Sequence, residues 1–197
     1  MAKEKIQKKW IMIGAVALVI LIVAGLFIGT YNNFVTLNQA VKSDWSEVEN
    51  QYQRQADLIP NLVSVVSSAV SVETKFVKDV VDARTNWNSA TSELAKDTAG
   101  VQMNSGISAL ISAVAENYPV LQANNNYVAL QDELTGTQNR IATSRGRYIE
   151  AIQAFNTAVQ RFPGVMFAGL YGFSVMEYYQ ANPASIGTPQ LGTGTLP

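Results

Sequence analysis

Residues 10–29 read WIMIGAVALVILIVAGLFIG, twenty positions without a charge. At about 1.5 Å of rise per residue a helix over this stretch is about 30 Å long, the thickness of a bilayer's hydrocarbon core. A single strand there would leave its backbone N–H and C=O groups unpaired in lipid. A buried core helix is rarely apolar on every face, as this one is. A cleaved signal peptide has a shorter apolar core and a small-x-small cleavage site. Phe27-Ile28-Gly29-Thr30-Tyr31 offers no good site of that kind. Residues 10–30 are therefore expected to form one uncleaved transmembrane helix, with the lipid bilayer as its partner.

Charge is distributed unevenly around this helix. Residues 1–9, a short N-terminal tail, hold Lys3, Lys5, Lys8 and Lys9 against Glu4, and the next basic residue is Lys42. The positive-inside rule then puts the tail in the cytoplasm and residues 31–197 on the outer, periplasmic or extracellular, side. Of the 14 Lys/Arg and 15 Asp/Glu in the chain, the outer part keeps ten and fourteen. A net charge of −4 argues against nucleic acid as a partner, which needs a basic face. The chain has no cysteine and no histidine. It thus lacks a thiol nucleophile, a thiolate metal site, the commonest general base and the commonest metal ligand.

Beyond the apolar run the hydrophobic spacing is helical throughout. Phe34, Leu37, Val41, Trp45, Val48, Tyr52 and Ile59 form a stripe over 31–59, interrupted at Gln55. Pro60 is expected to end that helix, with Asp57-Leu58-Ile59-Pro60-Asn61 as a tight reversal and Asp57 as a cap. A second helix is expected over 61–95, because Leu62, Val66, Ala69, Glu73, Phe76, Val80, Ala83 and Trp87 keep heptad steps of four and three. Residues 96–100 read as a connection. A third helix over 101–118 carries Met103, Ile107, Leu110, Ile111, Val114 and Tyr118, and Pro119 closes or kinks it. After a loop with Asn124, Asn125 and Asn126, a fourth helix over 127–162 carries Leu130, Leu134, Ile141, Tyr148, Ile152, Phe155, Val159 and Phe162. Pro163-Gly164 stops it.

The expected fold is all-α: a transmembrane helix followed by an antiparallel up-down four-helix bundle with long helices over residues 31–179. Helix lengths of about 43, 52, 27 and 54 Å are compatible with that closure, since the connection after the short third helix can span the difference. The fourth helix then ends where the first began, at the membrane. Residues 165–179, VMFAGLYGFSVMEYY, either plug the open end of the bundle or lie in the interface. Residues 180–197, rich in Gly, Pro, Ser and Thr, have the composition of a disordered tail.

The string Asp57-Leu58-Ile59-Pro60-Asn61-Leu62-Val63 behind a single N-terminal anchor resembles the LemA family. Trp45-Ser46-Glu47-Val48, Ala83-Arg84, Glu116-Asn117-Tyr118-Pro119, Ala129-Leu130-Gln131, Asn139-Arg140-Ile141-Ala142, Arg147-Tyr148, Phe155-Asn156 and Arg161-Phe162-Pro163-Gly164 agree with it. The resemblance covers residues 31 to about 175. It implies a bacterial, membrane-anchored, antiparallel helical bundle. It implies no established activity. Family genes often lie near those of membrane metalloproteases or other membrane proteins, which hints at partners of that kind.

No catalytic, cofactor-binding or metal-binding residue is assigned. Gly192-Thr193-Gly194-Thr195 lacks the strand and helix that make a phosphate loop. Gly172-Phe173-Ser174-Val175-Met176 lacks the last glycine of a nucleophile elbow and a histidine to serve it. Asp132/Glu133 and Asp79/Asp82 read as solvated faces. Glu73 and Arg145 each fall on an apolar stripe, at comparable heights of about 25 to 35 Å in the expected bundle. They either pair in a polar layer that fixes helix register or snorkel to solvent. The reading these features support is a non-enzymatic, membrane-anchored interaction or scaffold protein, in contact with other membrane proteins or with itself. The alternatives are an accessory subunit or regulator of a membrane enzyme such as a metalloprotease, an enzyme using carboxylates in a cleft, and a sensor with a ligand pocket near 118–126.

Overall fold

In the computed structural model residues 2–69 and 74–178 are described, with side chains from Lys9 onward except those flanking residues 70–73. The described chain is all-helical. Its elements are α1 (Ala2–Ala69), α2 (Thr74–Ser89), α3 (Glu93–Asn117), α4 (Pro119–Gln122), α5 (Asn125–Gln160) and α6 (Gly164–Phe167). The chain divides into two compact units, residues 36–151 and residues 1–35 with 152–197. Glu73 and the tail 180–197 lie outside the described residues.

The first finding against expectation is α1, which runs through Pro60 to Ala69. The stripe does not stop at the proline: Ile59, Leu62 and Val66 are all buried, and Pro60 itself faces solvent. A proline inside a helix costs about 3 kcal/mol relative to alanine. Burying three aliphatic side chains recovers roughly 1.5–3 kcal/mol each, so packing wins. Asp57 is accordingly not a cap but a mid-helix residue, accepting a hydrogen bond from Gln53 Nε2 at 2.8 Å. Gln55 fills the apparent interruption in the stripe and is fully buried.

The expected second helix falls on the end of α1 and on α2, and residues 70–73 lie outside the described residues. Within α2, Val80, Ala83 and Trp87 supply the buried face. The connection that follows is residues 90–92, not 96–100. Ser92 caps α3, its Oγ accepting from Ala95 N at 3.2 Å, and Glu93 sits in the first turn where the helix dipole favours an acid. Residues 96–100 are thus helical, and α3 begins about two turns earlier than its large apolar residues suggest. Tyr118 ends α3, Pro119 opens the single turn of α4, and Asn124 Oδ1 accepts from Asn126 N at 2.9 Å at the start of α5. Leu121 and Tyr127 are buried in that corner.

In the unit of residues 36–151, cross-helix pairs fix the running directions. Glu49–Lys96 and Tyr52–Asp97 join α1 to α3 with numbers rising together. Trp45–Tyr148 and Arg54–Glu133 join α1 to α5 with numbers opposed, and Tyr148–Glu93 and Arg145–Asp97 do the same for α3 and α5. Gly106 lies against Val80 of α2, its bare Cα face leaving only contact distance to the valine.

In the other unit, residues 9–30 of α1 expose apolar side chains on every face, Trp10 through Ile28 among them. This stretch is long and apolar enough to cross a membrane. At its end Phe34, Ile152, Phe155 and Val159 are buried together. Phe162, expected to close the fourth stripe, is instead 74% exposed, because α5 ends at Gln160 and the residue leaves the helix face. Residues 164–178 fold back. The Phe34, Phe155 and Phe173 rings meet at centroid distances of 5.3–6.4 Å. Asn156 clamps the segment, its Nδ2 donating to Met176 O and its Oδ1 accepting from Met176 N, both at 2.8 Å.

Candidate functional site: a buried polar layer

Two groups of polar residues lie inside the helices of the 36–151 unit. The first surrounds Asp97. Its side chain is 6% exposed. Tyr52 Oη donates to Asp97 Oδ1 at 3.3 Å, and Arg145 Nε stands 3.5 Å from the same oxygen. One turn away, Tyr148 Oη donates to Glu93 Oε2 at 3.2 Å. Lys96 Nζ pairs with Glu49 at 2.6 Å and lies 4.5 Å from the centre of the Trp87 ring. Three helices, α1, α3 and α5, thus converge on one layer of alternating charge.

Gly100 makes room for this layer. A Cβ there would stand 2.5–2.8 Å from the Tyr52 ring. Only a residue without a side chain lets the phenol lie flat against α3 and reach Asp97 one turn back. Burial pushes the Asp97 carboxyl up to about 6, against the opposing pull of the Arg145 guanidinium and the Tyr52 hydroxyl. The same burial, with Asp97 beside it, pushes the Tyr52 phenol well above its ordinary value. Tyr148 is raised by burial and by Glu93. These tyrosines remain neutral donors over the whole physiological range. Chemically, the layer can hold a proton on Asp97 and can fix the axial register of three helices, since a polar group moved out of register would be left unsatisfied at about 1–3 kcal/mol.

The second group joins α1 to α2. A helix proline has no N–H for the carbonyl four residues back, which here is Ala56 O. Arg84 Nε donates to that oxygen at 2.8 Å. The Pro60 and Arg84 strings, far apart in sequence, are therefore two halves of one device: the proline frees a buried acceptor and the arginine satisfies it. Gln55, beside Ala56, donates through Nε2 to Asn104 Oδ1 of α3.

Of the two sequence-expected core charges, Arg145 does enter a polar layer, and the carboxylate facing it is Asp97. Glu73 lies outside the described residues, so a pairing with it is untouched by this geometry. Asp97 and Glu93 precede Val101, where the apolar spacing begins the third helix, so that spacing does not reach them. Carrying the Met103–Ile107–Leu110 spacing backward by three and six residues reaches Gly100 and Asp97, and Ser92 marks the true start. The exposed pairs agree with expectation: Lys78 binds Asp82 on the surface of α2, and Glu133 faces Arg54 at 3.9 Å with both half-exposed.

Comparison with known proteins finds relatives of the chain. Two magnetosome proteins of Paramagnetospirillum magneticum, MamQ 1 and MamQ 2, are each 29% identical to this chain, over 95% of it and 79% of their own length. Magnetosome protein MamQ of Magnetospirillum gryphiswaldense is 26% identical over 85% of this chain and 72% of its own. The LemA family profile matches residues 44–191, which include the Pro60–Arg84 device and the Asp97 layer. The chain belongs to the LemA family.

Proposed function

We propose that this LemA-family protein is a single-pass membrane protein without catalytic activity, and that its antiparallel four-helix bundle is an interaction module. Residues 10–30 cross the bilayer, residues 1–9 face the cytoplasm and the helical domain lies on the outer side. The observation that carries the reading is α1. One continuous helix has an apolar stretch exposed on every face and then, from Phe34 onward, a stripe buried in protein. The first part is compatible with lipid around the whole helix and the second with a folded domain. Relatives that are magnetosome proteins support a membrane setting. The opposed numbering of α1 against α5 and of α3 against α5 supports the bundle. Tyr52, Asp97 and Arg145 are engaged with one another across three helices, which suits a rigid body whose outer faces do the work.

Partners on this reading are other membrane proteins or further copies of the chain. The test is cross-linking of the whole protein in its native membrane, followed by mass spectrometry of the captured species. A reproducible membrane-protein partner, or a defined self-oligomer, is the expected result. Turnover of a small substrate by the purified chain, abolished by Asp97→Asn, would overturn it.

A further inference from the structure

Residues 162–176, FPGVMFAGLYGFSVM, carry no charge. Their inner side is pinned to α1: Tyr171 Oη donates to Phe27 O at 2.6 Å, and the Phe27 ring meets Tyr171 at 4.7 Å and Phe167 at 5.5 Å. Phe27 belongs to the apolar run, so the segment sits beside the end of that run and not beyond it. Gly164 allows the approach, since a Cβ there would stand 2.1 Å from Ala158 O and 3.0 Å from the Phe34 ring. The outer side is different. Phe162, Val165, Met166 and Leu170 are 58–74% exposed. Helical turns from Arg161 O to Val165 N and from Gly164 O to Ala168 N put 162, 166 and 170 on one edge.

We infer that this edge is a second lipid-contacting element, inserted among the phospholipid acyl chains of the leaflet at the C-terminal end of the span. The inference rests on the proposed membrane crossing by residues 10–30. The occupant is identified by continuity. Phe27 and Ile28 are themselves exposed apolar residues, and the edge extends their surface sideways at the same level. Its composition points the same way. A protein partner meets a polar rim around an apolar centre, whereas this edge has no charged residue between Arg161 and Glu177. Tyr31 and Tyr171, whose rings meet at 5.2 Å, and the exposed Arg161 stand where an aromatic belt and a snorkelling base belong. With two apolar contacts instead of one, the chain is held at a set depth and rotation about α1.

The absence of native cysteine permits a direct test. The full chain carrying Leu170→Cys, and separately Ile20→Cys, is labelled with bimane and reconstituted into phosphatidylcholine–phosphatidylglycerol vesicles. Quenching by a nitroxide on the lipid acyl chain is compared with quenching by aqueous iodide. Both labels are expected to be quenched several-fold more by the lipid nitroxide. If Ile20 behaves so and Leu170 is quenched by iodide, the edge faces water and the inference is overturned while the crossing stands. If Leu170 is shielded from both quenchers, protein covers the edge and the inference is equally overturned. If Ile20 itself is quenched by iodide, the crossing fails and takes the inference with it.

Discussion

Asp97 is a buried carboxylate whose protonation the fold alters. Burial pushes its carboxyl up to about 6, above the ordinary value of 3.8, so the folded chain holds this proton more tightly than the unfolded one. The sign follows: its contribution to stability is complete below about pH 4 and is lost as pH rises to about 6, a change of order 2–3 kcal/mol. Asp97→Asn keeps the shape and an acceptor oxygen but cannot titrate. Urea unfolding of the detergent-solubilised chain across this pH range is expected to show a shallower fall in stability for the variant, and an unchanged slope would remove Asp97 as its source. Gly100→Ala drives a methyl into the Tyr52 ring. Overpacking of this kind costs about 1–3 kcal/mol, and it is expected to separate Tyr52 from Asp97. Arg84→Met strands Ala56 O, at about 1–3 kcal/mol. In a Pro60→Ala background the alanine N–H supplies the missing bond, so the same Arg84→Met change is expected to cost roughly 1 kcal/mol less. Additive effects in that cycle would show that the two residues are not one device.

At the scale of elements, the account separates what side-chain spacing reveals from what only tertiary packing decides. The all-helical class was legible because Phe34 to Tyr52 and Met103 to Val114 keep helical steps of three and four, and Leu134 to Val159 keeps steps of three, four and seven. Pro60 was misread because local chemistry says stop, and nothing local reveals that Ile59, Leu62 and Val66 share a buried face or that Arg84 arrives from another helix. The start of α3 was misread because its first two turns bury Asp97, Ala99 and Gly100, small or polar residues that carry no hydrophobic signal. The returning segment after α5 was legible in its aromatic content but not in its seat, which depends on Gly164 and Asn156. Gly164→Ala would place a methyl against the Ala158 carbonyl, and Asn156→Ala removes both bonds to the Met176 backbone. Each is expected to release residues 164–178. Limited proteolysis should then cut near Tyr171 several-fold faster while the helices of the 36–151 unit stay intact. Equal cutting rates would mean that the segment is held by other contacts.

On the scale of the whole molecule, two of the quoted sequence strings acquire physical meanings, a proline with its distant arginine and an asparagine that clasps a returning stretch of backbone, and beside them a glycine admits a tyrosine to an aspartate. Each of these groups ties one helix or segment to another. Under the proposed function such a body acts through its surface and its position at the membrane. The claim on which the rest depends is that residues 10–30 lie in lipid as part of α1. Washing membranes that carry the full chain with alkaline carbonate tests it most directly. The protein is expected to stay with the membrane pellet, and replacing Val19 and Ile20 with aspartates is expected to move it to the supernatant. Release of the unaltered chain by carbonate, with its helical content intact, would contradict the account.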